Sequence, residues 1–194
     1  MDTRELDRHT LAVLDKIVSS VTEADLGRET PCEGWDLGDL LRHQVAENNA
    51  FAIALREGSA PDWNDGDLGR DPYRAYADSV DAAVAAFAEE GVLERLVTIR
   101  EFGTFPGSFA ALMHLVDSVA HGWDLAKTLN LPYEPGEDAV AVALAFAEKI
   151  PADPGDRTTR GSFDVVIEVP AGASPLDRFL GLTGRDPGWA PSIR

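Results

Sequence analysis

Apolar residues recur at intervals of three and four along five stretches of the chain, the period of helices with one buried face. In residues 3 to 21 the buried positions are Leu6, Leu11, Val13, Leu14, Ile17, Val18 and Val21. From Asp36 to about Glu57 they are Leu37, Leu40, Leu41, Val45, Asn48, Phe51, Ala52 and Leu55. A third stretch starts at Pro72 and runs through Tyr76, Val80, Val84 and Phe87 to about Glu90. A fourth, from about Gly107 to Leu129, aligns Phe109, Leu112, Met113, Val116, Val119, Ala120 and Trp123. A fifth, about 136 to 150, carries Val140, Leu144, Phe146 and Ala147.

Local punctuation agrees with these bounds. Asp36 is a predicted N-cap, and Asp39 favours the N-terminal end of the helix dipole. Gly58 can stop that helix in a left-handed turn. Pro72 suits a first helical turn. Asn130 can cap the fourth helix, and Pro132 blocks its continuation. The segment GVLERLVTIREFGTFPGS, residues 91–108, breaks the period and is predicted as an irregular crossover with a short strand or a turn of helix. After residue 150 the character changes again. PADPGDRTTRG reads as a linker, SFDVVIEVP has strand composition, and SPLDRFLGL reads as a short helix with Ser174 as N-cap and Pro175 in its first turn. The expectation is an all-α helical body over residues 1–150 with a strand/helix extension over 151–194, packed on it.

The fourth helix also places chemistry. His114, Asp117 and His121 are spaced by three, four and seven, so they share one stripe of a helix. Asp117 and His121, one turn apart, can converge on a single ion, as the H-x-x-x-H pair of zinc proteases does. A carboxylate in place of one imidazole suits zinc, nickel or iron. The competing reading is a solvated face opposite the apolar stripe. That face, however, also carries Ala110, Ala111 and Leu125. The second helix has a similar small-residue side, with His43 beside Ala46, Ala50, Ile53 and Ala54. Two such faces can approach closely, setting His43 against Asp117 and His121. Glu47, four residues after His43, could add a carboxylate.

Composition narrows the function classes. A net charge of −17 and a pI of about 4.4 argue against a basic nucleic-acid surface and against anionic membranes. No run of eighteen apolar residues predicts a membrane span. The charged start MDTRELDRHT lacks the apolar centre of a signal peptide, so a cytoplasmic protein is expected. The single Cys32 excludes an internal disulfide and a Cys-rich zinc site, and it reads as a buried, inert thiol. Trp35 and Trp123 read as core fillers beside helix ends and turns. The loop GSAPDWNDGDLGRD lacks the spacing of a calcium-binding EF-hand.

Three separated blocks carry a specific resemblance: TPCEGWDLGDLLRHQVAEN, LVDSVAHGWDLAKTLNLP, and the tail FDVVIEVPAGASPLDRFLGLTGRDPGW. The first two resemble signatures of the mycothiol-dependent maleylpyruvate isomerase-like group of the DinB-like superfamily. The tail is similar to the ending of a small actinobacterial branch, in keeping with fourteen Arg against three Lys. The resemblance implies a four-helix bundle with a long crossover. It also implies a divalent metal held by a His on the second helix and a carboxylate-x-x-x-His pair on a later one. Those positions match His43, Asp117 and His121. The isomerase pattern has Glu where this chain has Asp117, one methylene shorter, so Asp117 either ligates with an adjustment or orients a ligand. His114 matches no ligand position of the pattern and stands in reserve.

A site with three protein ligands keeps a position open, as catalytic zinc sites do. The resemblance implies zinc first, nickel or iron next, and mycothiol as cosubstrate. The expected function is a metal-dependent enzyme using a small thiol, a transferase or isomerase with a metal-bound thiolate as nucleophile. Maleylpyruvate would require cations for two carboxylates; Arg42, Arg100 and Arg160 are the candidates, and none has a telling spacing. Two other readings stay open: a hydrolase activating water with Glu47 as base, and a non-catalytic metal-binding or interaction protein. The partners expected are a thiol and a small substrate, with no nucleic acid and no membrane; a homodimer through bundle faces is compatible with the pattern.

Overall fold

The computed structural model describes residues 2–153 and 163–191. Six helices lie among them: α1 Thr3–Val18, α2 Leu37–Glu57, α3 Pro72–Phe87, α4 Gly107–Leu129, α5 Glu137–Ala147 and α6 Pro175–Leu182. Their ends obey the local chemistry. The Asp36 side chain accepts from the Asp39 backbone N–H, and Asp39 returns the bond, closing a capping box on α2. Gly58 ends α2 at φ 91°, where a side chain would be strained. Asp71 caps α3, Ser174 caps α6, and Asn130 ends α4 at φ 55°.

The crossover between α3 and α4 contains an antiparallel hairpin, β1 Leu96–Ile99 with β2 Gly103–Pro106, paired Val97 to Phe105 and Thr98 to Thr104. A 3₁₀ turn at Arg100–Phe102 joins the strands, with Arg100 at φ 45°. Among the described residues the protein is therefore mostly helical with one small sheet, where an all-α body with a short strand or helical turn in the crossover was expected. Each strand has four residues, too few for alternation to announce them. A second correction concerns the tail. Residues 163–170 form no strand despite their composition; Ile167 N–H donates to Gly181 O in α6 instead of to a strand neighbour. The remainder of the expected linker lies outside the described residues.

α1 packs on α4 and α2 on α3, while α2 also packs on α4 and α5 on both α4 and α6. Three apolar clusters fill these contacts. One joins the end of α2 to the hairpin and the start of α4 through Phe51, Leu55, Val97 and Ala111. Another joins α1 and α4 to α5 and α6 through Leu6, Leu115, Trp123 and Phe179. The third joins α1, α2 and α3 through Leu14, Leu41 and Tyr76. Gly122 allows the close approach beside α4, since a Cβ there would stand 2.5 Å from Leu14 and 2.6 Å from the Tyr133 hydroxyl. Phe179 and Leu180 are fully buried, so α6 is anchored in the same core as the longer helices. Among the described residues no helix is long and apolar enough to cross a membrane.

Candidate metal centre

The α2–α4 contact brings His43, Asp117 and His121 together. One ligand atom from each lies within 4.8 Å of the others. His43 Nε2 stands 3.6 Å and His121 Nε2 3.5 Å from the same oxygen, Oδ1 of Asp117. The two imidazole rings meet edge to face, with centroids 4.8 Å apart. The other Asp117 oxygen accepts from the side-chain amide of Gln44 at 2.9 Å. This bond fixes the carboxylate so that Oδ1 faces the two rings.

His43 Nε2 is buried and has no hydrogen-bond partner. A buried polar atom without a partner costs free energy, and such atoms are uncommon. Here the orphan faces a carboxylate oxygen and a second imidazole nitrogen, the donor set of a catalytic zinc site. The residues fit a divalent ion with an open position. Electrostatics agree. Burial works against ionisation of Asp117, but His121, His43 and Gln44 together hold its carboxyl far below the usual range. His43 is raised: burial opposes its charge, and Asp117 outweighs burial.

Trp35 forms the outer wall. It is 37% exposed, and its ring lies 5.0 Å from that of His43 and 6.3 Å from that of His121, nearly parallel to the latter. The expected core filler is thus a cover over both candidate ligands. Trp35 and Cys32 also line an open recess of about 480 Å³ that includes Trp189 of the C-terminal segment.

Behind His121 lies a second cluster, centred on Asp124, in which a histidine and an arginine share one carboxylate. Asp124 Oδ2 accepts from His121 Nδ1 at 2.9 Å, from the Arg185 guanidinium at 3.0 Å and from the Cys32 thiol at 3.2 Å. The sulfur is 3.9 Å from His121 Nδ1. Cys32, His121 and Asp124 could by distance hold a metal. The buried Arg185 charge disfavours a cation there. Cys32 is half-buried rather than buried; burial first, then the Asp124 carboxylate, push its thiol far up, which disfavours a reactive thiolate.

His114 is elsewhere. It is 1% exposed, with Nδ1 2.8 Å from Asp7 Oδ2 and Nε2 2.9 Å from Asn48 Oδ1. Both nitrogens are engaged, so His114 is withdrawn as a reserve ligand. It sits three residues before Asp117, about 60° away around the helix, and faces the α1–α2 seam rather than the His43 side. Glu47 is not in the cluster either. Its carboxylate bonds Arg100, whose guanidinium also reaches Trp63 O at 3.1 Å. Arg42 is exposed and pairs with Asp39 at 2.9 Å. Arg160 lies outside the described residues.

The comparisons with known proteins cover the same part of the chain. A sequence profile described as the mycothiol maleylpyruvate isomerase N-terminal domain matches residues 8–126, which contain His43, Asp117 and His121. The chain belongs to that family. Two uncharacterized proteins of Mycobacterium tuberculosis, Rv0738 and MT0763, are each 25% identical over 175 residues, covering 87% of this chain and 90% of the relative. The crystal structure of the mycothiol-dependent maleylpyruvate isomerase superposes with a TM-score of 0.58 at 18% identity, over 75% of this chain. A histidine-to-alanine variant of that isomerase gives the same score at 17% identity. The match spans 66% of the isomerase's own length, and at this identity it speaks for the fold alone.

Proposed function

We propose that this protein is a metal-dependent enzyme that uses a small thiol of the mycothiol type, with transferase or isomerase chemistry. In this reading α1 to α4 form a four-helix bundle, residues 1–150 are the metal-binding body, and residues 151–194 are an extension docked on it. His43, Asp117 and His121 hold the ion, zinc first and nickel or iron next. The observation that carries the proposal is the partnerless His43 Nε2 facing Asp117 and His121, inside the region that the family profile matches. A divalent ion in that position supplies Lewis acidity, which favours the thiolate over the thiol near neutral pH.

The chain's own residues have separable tasks. Gln44 orients Asp117, and Trp35 shields the two imidazoles from bulk water while leaving the recess beside Cys32 open. A hydrolase reading needs a free carboxylate base near the ion. Glu47, the one proposed for that task, is 6% exposed and tied to Arg100. This engagement favours the thiol reading over water activation. The Arg side chains near the site, Arg100 and Arg185, are each spent on a buried carboxylate. Among the described residues no cation pair is left to clamp a dicarboxylate, so an electrophile other than maleylpyruvate is expected.

The test is turnover of a panel of small electrophiles with zinc-loaded protein, with and without mycothiol. Thiol-dependent turnover that is lost in His43→Ala supports the proposal. Turnover that is independent of thiol assigns the site to water activation instead.

A further inference from the structure

Asp124 is 0% exposed, and all three of its donors converge on one oxygen, Oδ2. They come from distant parts of the chain: Cys32 from the loop before α2, His121 from α4 and Arg185 from the segment after α6. The other oxygen, Oδ1, and Arg185 Nε are buried without partners. An ion pair left with unsatisfied atoms is a poor stabilising device, since desolvation offsets much of its attraction. Its geometry has a different use. A carboxylate only accepts, so the neutral His121 ring carries its proton on Nδ1, which leaves the lone pair on Nε2. Nε2 is the nitrogen that faces Asp117 Oδ1.

We infer that Asp124 is a positioning residue for the metal centre, and that Arg185, bonded to the same Oδ2, holds that carboxylate in place against His121. The C-terminal segment then completes a centre whose three ligands all lie in the body. The profile match ends at residue 126, so the region it covers contains Asp124 but not Arg185. The inference rests on the reading of His43, Asp117 and His121 as ligands. Metal-ligating imidazoles commonly donate their second N–H to a carboxylate, and loss of that partner lowers metal affinity about 10- to 100-fold.

Two readouts test it without recourse to turnover. The first is the tautomer of His121 by ¹⁵N NMR of histidine-labelled, metal-free protein. The second is zinc affinity by competition with a chromophoric chelator, with thermal unfolding to confirm folding. The expected results are the Nδ1–H form of His121 in the wild type and a mixed population in Asp124→Asn. Zinc affinity is expected to fall about 10- to 100-fold in Asp124→Asn and about 10-fold in Arg185→Gln, and to be largely restored in the charge-keeping Arg185→Lys. Arg178→Gln, which breaks an exposed pair between α6 and Glu148 at the end of α5, serves as the control and leaves affinity unchanged. An Nε2–H tautomer in the wild type, or equal zinc affinity in wild type and folded Asp124→Asn, overturns the positioning role alone. Failure of the wild type to bind zinc overturns the metal reading and this inference with it.

Discussion

His114 and His121 stand two turns apart on α4, and their surroundings differ in one decisive respect. Both are buried, at 1% and 8% exposure, and both face a carboxylate across Nδ1. At His114 the second nitrogen meets Asn48 Oδ1, and Asn48 in turn donates to Ser79. Asp7 is also satisfied by the Ser118 hydroxyl. The network closes on itself. At His121 the second nitrogen faces Asp117 and a partnerless His43 nitrogen, under a half-exposed tryptophan. Burial and an acidic partner are shared, so neither distinguishes a structural histidine from a binding one. The partnerless nitrogen of His43, set beside His121 and absent beside His114, does.

The largest effect expected from this contrast is on stability. His114→Ala removes the partner of Asp7 in a sealed interior and should cost about 3–5 kcal/mol, as the loss of one member of a buried pair does. His43→Ala in the metal-free protein removes only a long, 3.6 Å contact with Asp117 and should cost about 1 kcal/mol, well below His114→Ala. Urea unfolding of chelator-treated proteins reads both. Equal costs would break the comparison.

A pH series sharpens it. His114 is raised above its ordinary value, because the Asp7 carboxylate outweighs the burial that opposes its charge. Its stabilisation is therefore complete below about pH 6.5 and is lost as pH rises through the folded-state value. The sign is opposite at Asp124. Burial opposes ionisation there too, but Arg185 and His121 hold the carboxyl at about 2, against an ordinary value of 3.8. That contribution is present above 3.8 and is lost as pH falls towards 2. Unfolding of metal-free wild type and His114→Gln between about pH 6 and 9 should show curves that converge at the alkaline end. Parallel curves would mean that the His114–Asp7 pair is not charged.

Smaller effects are expected around the ligands. Gln44→Met removes the amide that orients Asp117 and should weaken zinc binding about 10-fold with little change in unfolding. Nickel should quench the part of the tryptophan fluorescence that comes from Trp35, whose ring lies 5.0 Å from His43, and Trp35→Phe should abolish that part. Quenching that persists unchanged in Trp35→Phe would place the ion away from these rings.

Much of this arrangement is legible in the chain. The capping pair Asp36 and Asp39, the Gly58 and Asn130 stops and the span of α4 follow from local chemistry, and so does the convergence of Asp117 with His121. The small-residue faces of α2 and α4 brought His43 across. What was not legible depends on long-range partners. His114 shares the helical stripe with Asp117, and only Asp7, 107 positions away, shows that it is closed off. The Arg185–Asp124 contact spans 61 positions and Cys32–Asp124 spans 92, with no periodicity to announce either. A short strand in the crossover could be anticipated but not its pairing into a hairpin, and the tail's β-branched residues suggested a strand that is not formed among the described residues. Strand composition marks what can pair, whereas the presence of a partner is a property of the fold.

The most direct measurement is metal content per chain by mass spectrometry on protein purified without an affinity tag, in wild type, His43→Ala, His121→Ala and His114→Gln. The account predicts about one zinc, nickel or iron ion per chain in wild type and in the folded fraction of His114→Gln, and none in the other two. Absence of metal from wild type after incubation with zinc and nickel, or its loss from folded His114→Gln, would contradict the account.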